Sequence, residues 1–170
     1  MLSARLISNE GLSVCRNKDF SVISEEQKTA IRKKKIGLVF QQFYLIPNYT
    51  ALENVMFPMQ INKIKNEKEK ATLILSEIGL ESRKNNLPSE LSGGEQQRVA
   101  IARAISFNPE IILADEPTGN LDRKNTEIVS NLLLSYSKKN KISLFLVTHN
   151  INVAKKCDRV INLLDGEIRN

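Results

Sequence analysis

The sequence predicts an α/β fold built on a parallel sheet. Three continuous apolar segments, at residues 36–40, 111–114 and 142–147, have the length of strands and lack the polar alternation of a half-exposed sheet. Helical signals separate each of these segments from the next. Because strands of this kind are typical of parallel sheets covered on both sides, we expect helices on both faces of the sheet.

The composition indicates one globular domain. The chain has 170 residues, of which 41% are hydrophobic and 26% charged, which is enough apolar material for a core. The apolar run at 142–147 is too short to span a bilayer, and the N-terminus lacks the pattern of a secretory signal. We expect a cytoplasmic protein that reaches a membrane through a partner.

The net charge of +6 raises the question of nucleic acid or an acidic membrane surface as a partner. The basic residues are scattered, however, with one compact run at 32–35, and the chain has no Trp on which bases could stack. We interpret the charge as a solvated Lys-rich surface and expect no nucleic-acid partner. Cys15 and Cys157 have no metal-binding spacing, and we interpret them as free thiols.

Capping boxes predict where three helices begin. In a capping box, the side chain of the cap residue and that of a Glu or Gln in the first turn each bond the other's backbone N–H. The three pairs are Ser24 with Gln27, Thr50 with Glu53, and Ser92 with Glu95. We expect these helices to end near residue 34, at Pro58, because its ring disrupts helices, and near residue 107.

Periodicity and turn residues define further elements. Apolar residues recur at helical spacing over residues 66–78, and Gly79 is placed to end that helix. Because residues 50–91 contain no convincing strand, we expect a helical insertion beside the sheet. Residues 159–164 predict a short strand, and Asp165-Gly166 a hairpin turn after it.

The stretch from Leu91 to Arg98 has the features of an anion-binding helix start. It reads Leu-Ser-Gly-Gly-Glu-Gln-Gln-Arg and runs into an apolar helix. Gly93 and Gly94 leave backbone N–H groups uncovered, and Ser92 adds a hydroxyl. Because a helix N-terminus carries partial positive charge, this stretch is suited to bind a phosphate.

Polar side chains follow the apolar strands. Asp115 and Glu116 come directly after residues 111–114, and paired carboxylates suit Mg²⁺ and an attacking water. The only histidine, His149, comes just after residues 142–147. It therefore lies at the carboxyl edge of the sheet, where parallel α/β proteins bind ligands.

Together these motifs resemble those of ATP-binding cassette (ABC) ATPases. Leu91 to Arg98 resembles the family's signature motif, and Asp115-Glu116 its metal-binding strand end. Residues 117–122, Pro-Thr-Gly-Asn-Leu-Asp, resemble the D-loop, and residues 41–47 resemble the Q-loop. The resemblance covers nearly the whole chain. It implies a P-loop NTPase-like fold and an ATPase whose ligands are ATP and Mg²⁺.

The resemblance also implies which residues contact the nucleotide across a dimer. Ser92, Gly93, Gly94 and Glu95 would form the loop that grips the γ-phosphate held by a second ABC ATPase subunit. Asp122 belongs to the D-loop, which in the family touches the opposite subunit. Asp122 is also placed to cap a helix that runs to about residue 137.

The catalytic roles follow from the same resemblance. Asp115 would orient Mg²⁺ through its water shell. Glu116 would polarise the attacking water, and His149 would hydrogen-bond the γ-phosphate. Gln41, with Gln42 as the alternative, would sense Mg²⁺ and the attacking water.

One subclass of the family matches best. Residues 117–122, with Leu52-Glu53-Asn54-Val55 after the Q-loop, resemble ATPases of lipoprotein release, macrolide export, antimicrobial-peptide export and cell division. In that subclass two subunits close on two ATP molecules and drive a transmembrane permease. The implied organisation is a single partial domain over 1–170, with a core formed by 1–40 and 92–170. Residues 41–91, the Q-loop and helical subdomain, would dock on the permease at the inner face of the membrane.

The P-loop of this family is missing. It requires Gly, four residues, then Gly-Lys-Ser/Thr, and none of the seven glycines is followed by Lys. Residues 1–9 resemble the tail of the helix after a P-loop, and residues 11–15 the next strand. We therefore expect a chain truncated at its N-terminus, without the N-terminal strands of the sheet and with weak ATP affinity of its own.

Two alternatives are open at this point. The chain could be a catalytically silent interaction protein that lends Ser92, Gly93 and Gly94 to an intact partner subunit. A chromosome-maintenance ABC ATPase would share the signature and strand end. Such proteins insert long coiled coils, and this sequence has no heptad run of that length.

Overall fold

The computed structural model describes residues 14–15, 18–19, 24–164 and 167–169. Its helices are α1 (Glu25–Lys35), α2 (Ala51–Ile61), α3 (Glu67–Glu77), α4 (Gly93–Ile105), α5 (Arg123–Asn140) and α6 (Ile151–Ala154). Its strands are β1 (Val14–Cys15), β2 (Lys18–Asp19), β3 (Ile36–Phe40), β4 (Ile111–Asp115), β5 (Ser143–Val147), β6 (Asn162–Leu164) and β7 (Glu167–Arg169).

A parallel sheet in the order β3-β4-β5 forms the centre of the fold, as the three apolar segments predict. The strands end level with one another. Phe40 lies opposite Asp115, and Asp115 lies opposite Val147. The residues that follow these three positions therefore leave the sheet at the same edge.

Two short antiparallel pairs form sheets of their own. Strand β1 pairs with β2, and β6 pairs with β7. Leu164 lies opposite Glu167, as the predicted hairpin requires, while Asp165-Gly166 lies outside the described residues. The segment predicted at 1–9 also lies outside them, as do residues 11–13 of the strand predicted at 11–15, whose last two residues form β1.

Helices α4 and α5 bury one face of the sheet. The side chains in this core are Val39, Ile112 and Ala114 from the strands, Ile101 and Ile105 from α4, and Val129 and Leu133 from α5. On the opposite face of β5, Phe145 is 54% exposed. The outer edge of β5 has no partner strand in the part of the chain that the structure describes. The third apolar strand is therefore only half buried.

A second core holds the helical insertion together. It contains Val55 and Met59 of α2, Ala71 and Leu75 of α3, and Val99 of α4, all of which are fully buried. Since α4 contributes to both cores, it joins the insertion to the sheet. Helices and turns fill residues 51–91, as the sequence predicts. The division of the chain at residues 41 and 91 stays a prediction.

The prediction that Pro58 ends the second helix is wrong. Helix α2 continues through it to Ile61. Met59 is fully buried in the helical core, and the Pro58 carbonyl accepts bonds from Asn62, from its backbone N–H at 3.1 Å and from Nδ2 at 2.9 Å. A proline inside a helix costs about 3 kcal/mol. Packing and capping of the last turn outweigh that cost.

Local signals place the other helix ends well. Ser24, Thr50 and Ser92 each form the predicted capping box, and Asp122 caps α5. Gly79 follows α3 with φ +72°, a left-handed conformation that glycine adopts without strain. No helix in the described part of the chain is both long enough and apolar enough to cross a bilayer.

Candidate active site

Glu116 lies at the carboxyl edge of the sheet, one residue beyond β4. Its backbone is left-handed, with φ 44°, and its N–H donates to the carbonyl of Val147 at 2.9 Å. A left-handed conformation costs a non-glycine residue roughly 1–2 kcal/mol. The bond to the end of β5 holds this turn, which directs the Glu116 carboxylate towards the residues that follow β5.

The structure brings Glu116 and His149 into direct contact. Glu116 Oε1 accepts from the backbone N–H of His149 at 2.8 Å and lies 2.8 Å from His149 Nδ1. Since a carboxylate oxygen accepts hydrogen bonds, Nδ1 carries a proton in this contact, and Nε2 is the ring nitrogen left for another partner. The Glu116 side chain is 21% exposed and that of His149 is 78% exposed. The pair is therefore open to a ligand on the histidine side.

Gln41 and Asp115 lie at the same edge. Asp115 is partly buried at the last position of β4, opposite Phe40. The Gln41 side chain donates from Nε2 to Asn120 Oδ1 at 2.9 Å. The structure thus joins Gln41 to residues 117–122, and both Gln41 and the alternative residue Gln42 are exposed.

Ser92 and Glu95 close the first turn of α4. The Ser92 backbone N–H and hydroxyl each donate to Glu95 Oε2 at 2.8 Å. These two bonds, the backbone one first, hold the pKa of the Glu95 carboxyl below its ordinary value. The cap is therefore fully formed at neutral pH and weakens as the pH falls through the lowered pKa. Gly93 and Gly94 follow without side chains.

Ser92→Ala should lower the free energy of unfolding by about 1 kcal/mol, because it removes the N-cap of a helix with eight buried residues. Ser24→Ala is the matched control. It removes the same capping box from α1, which has no buried residue, and should change stability much less. Urea unfolding compares the two variants. An equal or larger loss for Ser24→Ala would contradict this assignment.

Asn125 packs against the signature glycine. Its backbone N–H and its Nδ2 both donate to the Asp122 carboxylate, which keeps the pKa of Asp122 below its ordinary value. A Cβ built on Gly94 would lie 2.1 Å from Asn125 Oδ1. The bonds to Asp122 in the cap of α5 therefore hold the Asn125 side chain against Gly94 at the start of α4.

Gly94→Ala should destabilise the protein by about 1 kcal/mol or more, because the new methyl displaces Asn125 from Asp122. In an Asn125→Ala background the same change should be neutral or stabilising, since Ala favours a helix more than Gly. A double-mutant cycle by urea unfolding measures this coupling. Additive effects would show that the two side chains do not compete for the same space.

Two side chains to which the sequence motifs assign no individual role hold the end of β3 and the loop after it. Arg103 donates to the carbonyls of Phe43 and Tyr44, and burial lowers the pKa of its guanidinium. Gln97 is fully buried and donates to the carbonyl of Phe40 at 3.2 Å. The signal for Arg103 is a charged residue inside an apolar helical run, with no charged partner nearby in the sequence.

The described residues include groups suited to bind Mg²⁺ together with a phosphate. No three His, Cys, Asp or Glu side chains cluster closely enough to cage a metal ion within the described residues. Mg²⁺ is usually held by one or two carboxylates together with phosphate oxygens and waters. Asp115, at the strand end, fits that mode, and the N–H groups of Gly93 and Gly94 at the start of α4 fit a phosphate.

A parallel α/β sheet with a carboxylate–imidazole pair at its carboxyl edge, and with a helix that begins at two glycines, is the architecture of the P-loop NTPase type of fold. The chain belongs to the ABC transporter family, whose model matches residues 1–119. The prediction of the family and of the fold class is confirmed.

The relatives point to one branch of that family. The chain is 46% identical over 150 residues to the lipoprotein-releasing system ATP-binding protein LolD 2 of Chlorobaculum tepidum, over 87% of this chain and 61% of the relative. It is 50% identical over 148 residues to LolD of Treponema denticola, over 86% of this chain and 66% of the relative. The chain thus spans about three-fifths to two-thirds of the length of these curated relatives.

A solved structure has the same fold. It is a dimer of the ATP-binding cassette MJ0796 in a post-hydrolysis state bound to ADP and Pi. The match covers 92% of this chain and 70% of the MJ0796 chain, with a TM-score of 0.80 and 44% sequence identity.

Proposed function

We propose that this chain is part of the nucleotide-binding subunit of an ABC transporter of the lipoprotein-release type. In this role it couples ATP binding and hydrolysis to export or release of a substrate through a membrane partner. The observation that carries the proposal is the contact between Glu116 and His149 at the carboxyl edge of the sheet. The names of the relatives support the lipoprotein-release branch.

In this proposal Glu116 accepts the proton of the attacking water, or positions that water. The Nδ1–H bond to Glu116 fixes the imidazole of His149, so Nε2 is the nitrogen that would donate to the γ-phosphate when it also carries a proton. Asp115 and Gln41 would hold Mg²⁺, which when bound neutralises charge on the phosphate oxygens. Positioning and charge stabilisation provide most of the catalysis in phosphoryl transfer.

The start of α4 would act across a dimer. Ser92, Gly93, Gly94 and Glu95 would receive the γ-phosphate held by a second ABC ATPase subunit, with Asp122 on the same interface. The contact of Asn125 with Gly94 supports this arrangement, since it fixes the helix start relative to residues 117–122.

A groove beside β3 supports docking of a transmembrane permease. The groove has a volume of about 450 Å³. Phe57 and Ile61 of α2 and Phe107 after α4 give it apolar walls, and Arg32 and Lys33 of α1 also line it. An amphipathic segment on the cytoplasmic side of the permease, with apolar side chains inward and an acidic residue near α1, has the matching chemistry. The protein would then be cytoplasmic and peripheral at the membrane.

Phe57→Asp should reduce recovery of the permease by roughly tenfold or more, because loss of a buried aromatic anchor costs about 2 kcal/mol or more. Leu73→Asp is the matched control, since Leu73 is exposed on α3 outside the groove. The measurement is pull-down with the tagged chain from solubilised membranes, with the permease identified by mass spectrometry. Equal recovery with both variants would reject the groove as the docking site.

A second candidate function is a catalytically silent partner. The 170 residues contain no P-loop, whereas the signature stretch from Leu91 to Arg98 is complete. Such a chain would lend its α4 start to an intact subunit. Mixing it with an intact homologous subunit should then change that subunit's ATPase rate, and an unchanged rate over a full titration would reject this candidate.

A further inference from the structure

One side chain links the loop after β3 to the residues after β4. Gln41 Nε2 donates to Asn120 Oδ1 at 2.9 Å, and Asn120 Nδ2 lies 3.4 Å from the carbonyl of Gln41. The two residues are 79 positions apart in the chain. The single amide of Asn120 therefore contacts both the side chain and the backbone of Gln41.

Gly119 makes room for this contact. A Cβ built at this position would lie 2.8 Å from Gln41 Nε2 and 3.0 Å from its Cδ. The Gln41 side chain thus lies directly on the backbone of residue 119. Any side chain there would push Gln41 away from Asn120.

The same turn is connected to the proposed catalytic carboxylate. The Gly119 N–H donates to the carbonyl of Glu116 at 3.0 Å, and the Leu121 N–H donates to that of Thr118 at 3.1 Å. These bonds make residues 116–121 a compact turn. Through Asn120, a displacement of this turn would be transmitted to Gln41.

Two other side chains contact the loop after β3, at residues that come later in the loop than Gln41. Arg103 contacts the carbonyls of Phe43 and Tyr44, and the Asn54 side chain bonds the backbone of Ile46 at 2.8 Å and 3.2 Å. These contacts tie the loop to α4 and α2, on the helical side. Asn120 contacts its first residue and ties it to the turn after β4.

We propose that Asn120 is a positioning residue, which holds the Gln41 amide on residues 117–122 so that Gln41 and this turn move as one unit. The functional meaning of this contact rests on the proposed function, in which Gln41 helps to hold Mg²⁺ and the turn faces a second subunit. A change at the subunit contact would then alter the orientation of Gln41.

The test is NMR on the nucleotide-free, isotope-labelled chain of 170 residues. Asn120→Ala removes both bonds, whereas Asn120→Asp keeps an oxygen that accepts from Gln41. In the Ala variant the Gln41 side-chain NH₂ signal should move to the position of a solvent-exposed glutamine. Exchange of the backbone amides at 41 and 42 should rise roughly five- to thirtyfold. Asn120→Asp should restore the side-chain signal.

Asn140→Ala is the matched control. It removes another exposed Asn, whose Nδ2 donates to the carbonyl of Tyr136 near the end of α5, and should change neither readout. Gly119→Ala is a second variant that displaces Gln41 by a different route, and it should give the same signal shift as Asn120→Ala. Gly119→Ala also tests the proposal if the Asn120→Ala variant does not fold.

An unchanged Gln41 side-chain signal in Asn120→Ala would overturn the proposal, as would equal shifts in the Ala and Asp variants. These measurements use no nucleotide. Failure of a P-loop-bearing version to bind ATP would therefore argue against the proposed function and leave this result intact. Conversely, an unperturbed Gln41 signal would reject the positioning role and leave the proposed function standing.

Discussion

Glu116→Gln, in a version of the protein that carries a P-loop, should reduce ATP turnover about 10²- to 10⁴-fold while ATP still binds. Glutamine keeps the shape of the side chain, and its Oε1 can still accept from the N–H and Nδ1–H of His149. An amide cannot take a proton from the attacking water. The variant should therefore hold unhydrolysed ATP.

Two measurements check this result. Phosphate release gives the turnover, and chromatography of the denatured complex shows whether the retained nucleotide is ATP or ADP. Glu127→Gln is the control, since it makes the same change on the exposed side of α5. Turnover by Glu116→Gln equal to that of the control would contradict the role assigned to Glu116.

His149→Ala should reduce the same turnover by about 10²- to 10³-fold, the usual cost of losing one preorganised donor to developing charge. The substitution removes the ring that bonds Glu116 at 2.8 Å and leaves the backbone N–H bond in place. Most of the loss should therefore fall on turnover, with ATP affinity changed less. Phosphate release over a range of ATP concentrations separates the two effects.

The control for His149 is Asn152→Ala, an exposed position on α6. Because the chain has one histidine, its imidazole gives a single set of nitrogen signals in NMR. The contact with Glu116 predicts a ring that carries a proton at Nδ1. An Nδ1 signal without a proton, or full turnover in His149→Ala, would contradict the assignment.

Short-range hydrogen bonds are the reason that helix starts were predictable. The cap of Ser92 with Glu95 and that of Thr50 with Glu53 involve residues three apart, so the chain itself contains all the information. The prediction that α2 ends at Pro58 was wrong because the continuation of the helix depends on the burial of Met59, which only the assembled helical core provides. At this position tertiary packing outweighs the helix-breaking preference of proline.

The three strands of the parallel sheet were predicted correctly, but the burial of the third was not. The apolar run at 142–147 suggested a strand covered on both faces, yet Phe145 is 54% exposed. Strand β5 has no neighbour on its outer side among the described residues. Apolar composition indicates what a strand can bury, whereas the number of strands beside it decides what is buried.

The motif residues of the site were predictable because they follow strands or open helices. Glu116 and His149 lie one and two residues beyond strands whose ends are level, which brings them together. The supporting residues were not predictable in the same way. Asn120, Arg103 and Asn125 act on segments far away in the chain, and no local pattern marks those contacts.

The most direct test of the account is the association state of the P-loop-bearing Glu116→Gln protein with and without MgATP, measured by sedimentation velocity. We predict a monomer without nucleotide and a dimer with saturating MgATP, because the start of α4 would complete the site of the second subunit. Gly94→Ala should prevent this dimer. A protein that binds MgATP and remains a monomer would contradict the assignment of the signature stretch to a shared nucleotide site.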